Sequence, residues 1–234
     1  HSRSQVPAAL RQTLEDLRLD YLDLYLVHRP VAFRTRVVFS SKPEEFNSLA
    51  EVPLSETWGG MEDCFEQGLT RHVGVSNFNP DHLEEISQGA KVDPEMNQVE
   101  LHPYLQQLEL LEYCRKKHIH LTAYSPLGSM DRPDALKGAD EPSLLENTTV
   151  QRIADAHGGS PAQVLIAFAI QRGTAVIPKS TSPMRIAENF KAADLSLTTD
   201  DMAALSELEA GFRYVDGSFF TPAGSPYSLE FLWG

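Results

Sequence analysis

Short apolar segments typical of β-strands alternate along this chain with amphipathic helical segments, and this alternation constrains the fold more than any other feature. The strand-like segments are 21–28, 72–75, 95–99, 118–124 and 175–177. Each is followed by a loop and a helix, which predicts a parallel sheet of βα units joined by right-handed crossovers. We expect one α/β domain over residues 1–234, with an aromatic, turn-rich tail at 211–234.

Capping signals predict where the helices begin. Asn79 precedes Pro80 and Ser182 precedes Pro183, two N-cap patterns with proline at the first helical position. The spacings Thr148-x-x-Gln151, Ser160-x-x-Gln163 and Thr198-x-x-Asp201 are those of capping boxes. A further helix is predicted over 105–117. The stretches 31–53 and 125–146 lack a convincing period and are predicted to be long loops.

Composition limits the possible partners. The net charge of −13 over 234 residues disfavours nucleic acids and anionic membranes, so a polyanion would need a local basic pocket. The longest apolar run, 164–170, is too short to span a bilayer, and no signal peptide is visible. Cys64 and Cys114 are predicted to be reduced core thiols. We therefore expect a soluble cytoplasmic protein.

Polar residues lie at the carboxyl end of each predicted strand, which is the end where the functional residues of α/β barrels are found. These residues are His28, Ser76, Asn77, Gln98, Tyr124, Ser125, Lys179 and Ser180. Each alone is compatible with an ordinary polar residue at the start of a loop. Together they predict a binding rim.

The basic segment at 178–189 has the features of a phosphate site. Lys179, Ser180 and Thr181 lie between the last strand and a helix capped by Ser182, and Arg185 falls in the first turn of that helix. Cations and hydroxyls beside unpaired helical N–H groups suit a phosphate. An ordinary basic loop closing a β-α turn is the alternative. Glu188 and Asn189, one helical turn past Arg185, also have two interpretations. They either contact an exocyclic amine of a ligand or form part of a solvated helix surface.

Two rim residues have open interpretations. His28 shares a strand face with Leu22, Leu24 and Leu26, so it is either a satisfied core histidine or a residue at the mouth of the barrel. No Asp, Glu or Cys has convincing metal-ligand spacing around it, so no metal is expected. The ring of Tyr124 either stacks on a planar heterocycle or is an ordinary rim aromatic. The amides of Asn77 and Gln98 suit a carboxamide.

Several long segments together resemble the aldo-keto reductases. In chain order they are LRLDYLDLYLVHRP, GVSNFN, NQVELHPYLQ, LTAYSPLG and VIPKSxxxxRIAEN, within a match from about residue 5 to 210. The resemblance implies a (β/α)8 TIM barrel, of which this sequence supplies about the last five βα units. It also implies binding of NADP(H) in extended form and reduction of aldehydes or ketones, as small-molecule substrates, to alcohols.

The resemblance also implies roles for individual residues. His28 matches the active-site histidine that orients the substrate carbonyl. Three residues match those that hold the nicotinamide carboxamide: Ser76, Asn77 and Gln98. Tyr124 matches the ring that stacks on the nicotinamide. The loop over the pyrophosphate is matched by Ser125, Leu127 and Ser129. Contacts to the adenosine 2′-phosphate are matched by Lys179, Ser180, Thr181 and Arg185, with Glu188 and Asn189 near the adenine. The basic cluster favours NADP over NAD.

The sequence departs from the family pattern in two respects. Of the family's four catalytic residues only His28 is matched; the proton-donating tyrosine, its lysine and the paired aspartate are not. Tyr21 and Tyr25 lie on the other strand face and are not substitutes. We expect either a reductase whose N-terminal third precedes this sequence, or a nucleotide-binding module or truncated fragment without turnover. Arg29 stands where many members have tryptophan, which favours a polar or anionic substrate. A monomer is expected.

Overall fold

A computed structural model describes residues 1–35, 37, 42–138 and 140–234. The strands are β1 (Leu22–Val27), β2 (Ala32–Phe33), β3 (Phe46–Asn47), β4 (Thr70–Ser76), β5 (Met96–Glu100), β6 (His120–Tyr124) and β7 (Ala175–Val176). The α-helices are α1 (Gln5–Leu17), α2 (Leu54–Glu66), α3 (Pro80–Ser87), α4 (Leu108–Lys116), α5 (Thr148–His157), α6 (Pro161–Gln171), α7 (Pro183–Lys191), α8 (Thr199–Ser206) and α9 (Leu229–Trp233).

The predicted βα alternation is confirmed. Hydrogen-bonded neighbours in the main sheet follow the order β1-β4-β5-β6-β7. Strands β1 and β4 pair in parallel, with Val27 opposite Val75. Strands β6 and β7 also pair in parallel, with Thr122 opposite Ala175. All five predicted strands therefore exist, within a few residues of their predicted ends.

Contacts divide the chain into two compact units. The first consists of His1–Asn97, Tyr113–Ile119 and Gly217–Gly234, and the second of Gln98–Glu112 and His120–Asp216. Within the first unit, tail residues Phe220, Tyr227 and Leu232 form a buried cluster with Phe46. Within the second unit, α5 and α6 contribute to a core that also contains Tyr104 and Tyr214. The aromatic tail is thus packed into the first unit from Gly217 onward.

Most predicted caps are confirmed, and one is wrong. Asn79, Ser160 and Thr198 each form a capping box, and Ser182 caps α7. For α5 the cap is Asn147 rather than Thr148, because the Asn147 side chain accepts hydrogen bonds from the N–H groups of Thr149 and Val150.

Two predictions of irregular or helical structure also need correction. Helix α4 begins at Leu108 rather than at residue 105, because Gln107 has a positive φ of 53° and cannot continue a helix backwards. The stretch 31–53 contains an antiparallel pair, β2 and β3, and a short 3-10 turn. Strands of two residues are too short to show a period. Residues 36, 38–41 and 139 of the two predicted loops lie outside the described part.

The two cysteines behave as predicted. Cys64 and Cys114 are free and buried. Burial raises the pKa of the Cys64 thiol to about 11 and that of Cys114 to about 12. Among the helices in the described residues, none combines the length and apolarity needed to cross a membrane. The same residues contain no cluster of metal-ligating side chains.

Candidate functional site

In the first unit, the ends of β1 and β4 bring predicted site residues together. Because Val27 lies opposite Val75, the next residues, His28 and Ser76, leave the two strands at the same end. The Asn77 side-chain Nδ2 donates to the backbone oxygen of His28 at 2.9 Å and to Ser76 Oγ at 3.0 Å. Ser76 and Asn77 are both 3% exposed. The Asn77 amide is therefore fixed against the end of β1.

His28 has an exposed side chain, so the core-histidine alternative is wrong. The leucines that share its strand face, at positions 22, 24 and 26, are only half-buried. Partial burial of the ring, followed by the charge of Arg29, lowers the pKa of His28 below its usual 6.5. At neutral pH the imidazole is therefore uncharged, with one N–H available to donate to a carbonyl oxygen.

Arg29 lies beside His28 in the chain and is half-buried. Its guanidinium carbon is 4.9 Å from the centroid of the Phe220 ring, and its Nη1 is buried without a hydrogen-bond partner among the described residues. A buried cationic N–H without a partner is costly, so an acceptor at this position would be strongly bound. Arg29 also lines a cavity of about 30 Å³ with Val31 and Tyr227, which has room for one water but not for a substrate.

In the second unit, Tyr124 and Lys179 leave the sheet at the same end. Strands β6 and β7 run in parallel, and the N–H of Ile177 donates to the oxygen of Ala123 at 3.1 Å. Tyr124 follows Ala123 directly and is half-buried, and Lys179 comes two residues after Ile177. Gln98, on β5, is also half-buried.

Several predicted site residues have an unusual backbone. Asn77, Ser125 and Ser129 have φ angles of 62°, 49° and 51°. This left-handed region is uncommon for residues other than glycine, and such conformations concentrate at binding and catalytic sites. Gly128, with a φ of 88°, lies between the two serines, and Leu127 beside it is half-buried. The segment 125–129 is therefore held in a conformation that the chain does not adopt by default.

The N-terminus of α7 carries the predicted phosphate-binding residues. Ser182 Oγ accepts from the N–H of Arg185 at 3.5 Å, and the N–H of Ser182 donates to Ser180 Oγ at 3.2 Å. Thr181 and Arg185 are exposed, as is Lys179, whose Nζ forms an ion pair with Asp131. Two exposed cations at a capped helix N-terminus fit a phosphomonoester.

The last two predicted cofactor residues lie on α7. Asn189 is 8% exposed, so a solvated helix surface is the wrong interpretation for this residue. Glu188 is half-buried, and its backbone oxygen accepts from Gln163 Nε2 at 3.1 Å. The contact ties α7 to α6.

Sequence reasoning missed four residues of the second unit. They are Glu100, Asp131, Arg132 and Tyr214. Asp131 pairs with Lys179 across 48 positions of the chain, and no local sequence pattern predicts such a pair. Glu100 did carry a signal, because an acidic residue in a segment that forms a buried strand needs partners.

The chain matches a family model and many known proteins. The model described as the aldo/keto reductase family matches residues 1–210. Aldo/keto reductase slr0942 of Synechocystis sp. is 48% identical over 100% of this chain and 71% of its own length. The NADH-dependent D-xylose reductase of Candida parapsilosis is 41% identical over 92% of this chain and 69% of its own length. Aldo-keto reductase family 1 member A1 of Gallus gallus is 43% identical over 92% of this chain and 65% of its own length.

A solved structure has the same fold. The crystal structure of an aldo-keto reductase of Bombyx mori in complex with NADP superposes with a TM-score of 0.82, at 34% identity, over 94% of this chain and 68% of that one. The expected α/β barrel fold class is thereby confirmed. With its family model, its relatives and its fold in agreement, this chain belongs to the aldo/keto reductase family.

Proposed function

We propose that this chain binds NADPH and reduces a small aldehyde or ketone to the alcohol. The observation that carries the proposal is the placement of Tyr124 and Lys179 at one end of β6 and β7, with Arg185 at the N-terminus of the helix that follows. This arrangement supplies a ring for stacking and cations for a phosphate within the second unit. The free thiols of Cys64 and Cys114 support a reducing compartment such as the cytoplasm.

The described residues fit each part of the cofactor. Asn77 and Gln98 have amides suited to the carboxamide, and Tyr124 offers the stacking ring. The segment 125–129, with its left-handed serines, suits the pyrophosphate. Lys179, Ser180, Thr181 and Arg185 would hold the 2′-phosphate, and Glu188 and Asn189 the adenine. The Bombyx mori structure contains NADP, whereas the Candida parapsilosis relative is named NADH-dependent, so the preference between the two is worth measuring directly.

His28 would act on the substrate carbonyl. When bound, the reduced nicotinamide supplies the hydride. The neutral imidazole of His28 donates a hydrogen bond to the carbonyl oxygen, which polarises the C=O bond and stabilises the charge that develops on oxygen. The Asn77 side chain, bonded to the backbone oxygen of His28, limits movement of this residue.

Arg29 would favour substrates that carry an anionic group. Arg29 is half-buried and follows His28 directly, and a charge-assisted hydrogen bond from its guanidinium to a carboxylate would contribute about 1.5 to 3 kcal/mol. The ring of Phe220 supports the guanidinium from one side. Aldehydes with a carboxylate are therefore the substrate class that we propose.

A second candidate is a nucleotide-binding module that does not turn over. Carbonyl reduction needs a proton donor near the developing alkoxide. Tyr21 lies at the opposite end of β1 from His28, with the guanidinium carbon of Arg71 4.0 Å from its ring centroid. Tyr25 is partly buried, and burial raises its pKa. Neither tyrosine suits the role, which favours binding without turnover for these 234 residues.

Fluorescence titration with NADPH and NADH, together with an aldehyde-reduction assay, tests both candidates. Binding with turnover supports the reductase, binding without turnover supports the module, and failure to bind either nucleotide contradicts both. Replacing Arg185→Leu is expected to weaken NADPH about tenfold and to leave NADH unchanged, because only NADPH carries the 2′-phosphate. Arg152→Leu, which removes an exposed cation from α5, is the matched control and is expected to change neither affinity.

A further inference from the structure

Tyr214 lies beside Gly128 and is bonded to Pro142, two separate points of the loop that carries the proposed pyrophosphate residues. A Cβ added to Gly128 would come within 3.1 Å of both Cζ and the hydroxyl of Tyr214, so the ring occupies the space beside this glycine. At the far end of the loop, the Tyr214 hydroxyl donates to the backbone oxygen of Pro142 at 2.6 Å. The Tyr214 ring therefore packs beside Gly128, which lies between Ser125 and Ser129 in the sequence.

Arg132 also connects the Tyr214 ring to the loop. Its guanidinium carbon lies 5.4 Å from the centroid of the Tyr214 ring, and its Nη1 donates to the backbone oxygen of Ser129 at 3.1 Å. The Arg132 guanidinium also forms an ion pair with Glu141. Arg132, which lies near the Tyr214 ring, therefore helps to hold Ser129 in its left-handed conformation.

Glu100 fixes the position of Tyr214 in turn. Its carboxylate is fully buried and accepts from the N–H of Tyr214 at 2.7 Å and from the N–H of Val215 at 2.9 Å. His102 Nε2 donates to the same carboxylate at 2.9 Å. Burial would raise the pKa of Glu100, but hydrogen bonds from His102, the His102 charge and the two backbone N–H groups together lower it. A buried carboxylate with this many donors holds its partners firmly, because any displacement leaves it unpaired.

We propose that Tyr214, anchored by Glu100, is a positioning residue that holds segment 125–129 in its cofactor-binding conformation and thereby slows the release of NADP(H). The inference rests on the proposed function. It assigns Tyr214 an effect on cofactor release in addition to its place in the core, since loops that cover a ligand often set the rate at which it leaves.

Tyr214→Phe tests this proposal because it keeps the ring and removes only the bond to Pro142. The dissociation rate of NADPH, followed by stopped-flow fluorescence with an excess of competing nucleotide, is expected to rise about threefold to tenfold, as expected for the loss of one hydrogen bond. The ratio of NADPH to NADH affinity is expected to stay constant, because Lys179 and Arg185 are unchanged. Glu100→Gln, which keeps the shape of the anchor, is expected to act in the same direction.

Tyr104→Phe is the matched control. Tyr104 belongs to the same buried cluster, and its hydroxyl accepts from Asn147 Nδ2 at 2.9 Å rather than bonding to the loop carbonyl of Pro142. An equal rise in the dissociation rate for Tyr104→Phe would show a general loss of stability and would overturn the proposal, as would an unchanged rate for Tyr214→Phe. If the unmodified chain does not bind NADPH, the proposed function fails and this inference fails with it. Faster amide exchange of residues 127–130 in cofactor-free Tyr214→Phe would support the proposal, and unchanged exchange would contradict it.

Discussion

Gly74 shows how a single residue limits what the sheet accepts. It lies in β4, and a Cβ at this position would come within 2.5 Å of the backbone oxygen of Met96 and 2.8 Å of Leu26 Cδ2. Since one of these neighbours is backbone, the strand has to move to accommodate a methyl group. The requirement for glycine here comes from close packing rather than from a special φ angle.

We therefore expect Gly74→Ala to lower the free energy of unfolding by about 3 kcal/mol, in the range of overpacked cores. Urea denaturation with a constant m-value measures the change. Gly89→Ala is the control, because a Cβ at Gly89 meets nothing within 4 Å. Equal midpoints for the Gly74 and Gly89 variants would show that β4 tolerates a side chain at Gly74.

Arg29 allows a prediction about selectivity at the same scale. Arg29→Gln is expected to lower kcat/KM for 4-carboxybenzaldehyde about tenfold or more relative to benzaldehyde, because the charge-assisted bond to the carboxylate is lost. If the chain binds without turnover, the same ratio is obtained from the dissociation constants of the two aldehydes in the presence of NADP. Arg29→Lys keeps the charge and is expected to restore part of the preference. A preference that survives Arg29→Gln would place the anion-binding group elsewhere.

Single residues also show what could be predicted from the sequence. The capping boxes at Ser160 and Thr198 depend only on residues three positions apart, and both were predicted correctly. Asn79 was predicted only as an N-cap, and the structure adds His82 as its capping-box partner. Thr148 was predicted as an N-cap because Gln151 completes the capping-box spacing, whereas the residue before it, Asn147, also belongs to a good N-cap type and is the actual cap. Local rules identify a cap, but they do not separate adjacent candidates.

At the scale of elements, His82 joins α3 to α9. It is 4% exposed, and its ring centroid lies 4.5 Å from that of Phe231 and 5.6 Å from that of Phe78. Burial lowers the pKa of His82 from 6.5 to about 4, although Asp81 and the backbone of Phe231 act in the opposite direction. The packing of these two helices therefore depends on a neutral histidine.

Acid is expected to weaken this packing. Between pH 6.5 and about 4 the unfolded chain binds a proton at His82 and the folded chain does not, so stability falls as the pH falls through this window. The full shift corresponds to about 3 kcal/mol. His82→Gln keeps the third residue of the capping box and does not titrate. Urea denaturation from pH 7 to 4 is expected to show a shallower decline for His82→Gln; parallel curves for the two proteins would contradict the prediction.

The elements that sequence reasoning found and missed differ in length. Strands β1 and β4 have six and seven residues and show the expected apolar pattern. Strands β2 and β3 have two residues each and form because Tyr227, from the tail, accepts from the N–H of Ala32 and donates to the oxygen of Asn47. That contact spans 180 positions or more of the chain, and no window of sequence contains both partners.

At the scale of the molecule, the βα order was sufficient to predict which residues leave the sheet at the same end. Residues such as Tyr124 and Lys179 could be grouped because parallel strands end at a common edge. The partners that support them could not be grouped in this way. Asp131 pairs with Lys179 and Tyr214 packs beside Gly128 only because the loop after β6 folds back on its own unit. Topology predicts where a site forms, whereas its supporting contacts depend on loop conformations that have no period.

Cofactor binding is expected to stabilise the whole chain by mass action. At a free NADPH concentration of 100 times its dissociation constant, the free energy of unfolding is expected to rise by about 2.7 kcal/mol, with about 1.4 kcal/mol for each further tenfold increase. In a chain of this size the melting temperature then rises by about 5 to 10 °C. Differential scanning calorimetry measures the shift, with NADH at the same concentration as the control, which is expected to give a smaller shift. An unchanged melting temperature in the presence of NADPH would contradict the prediction.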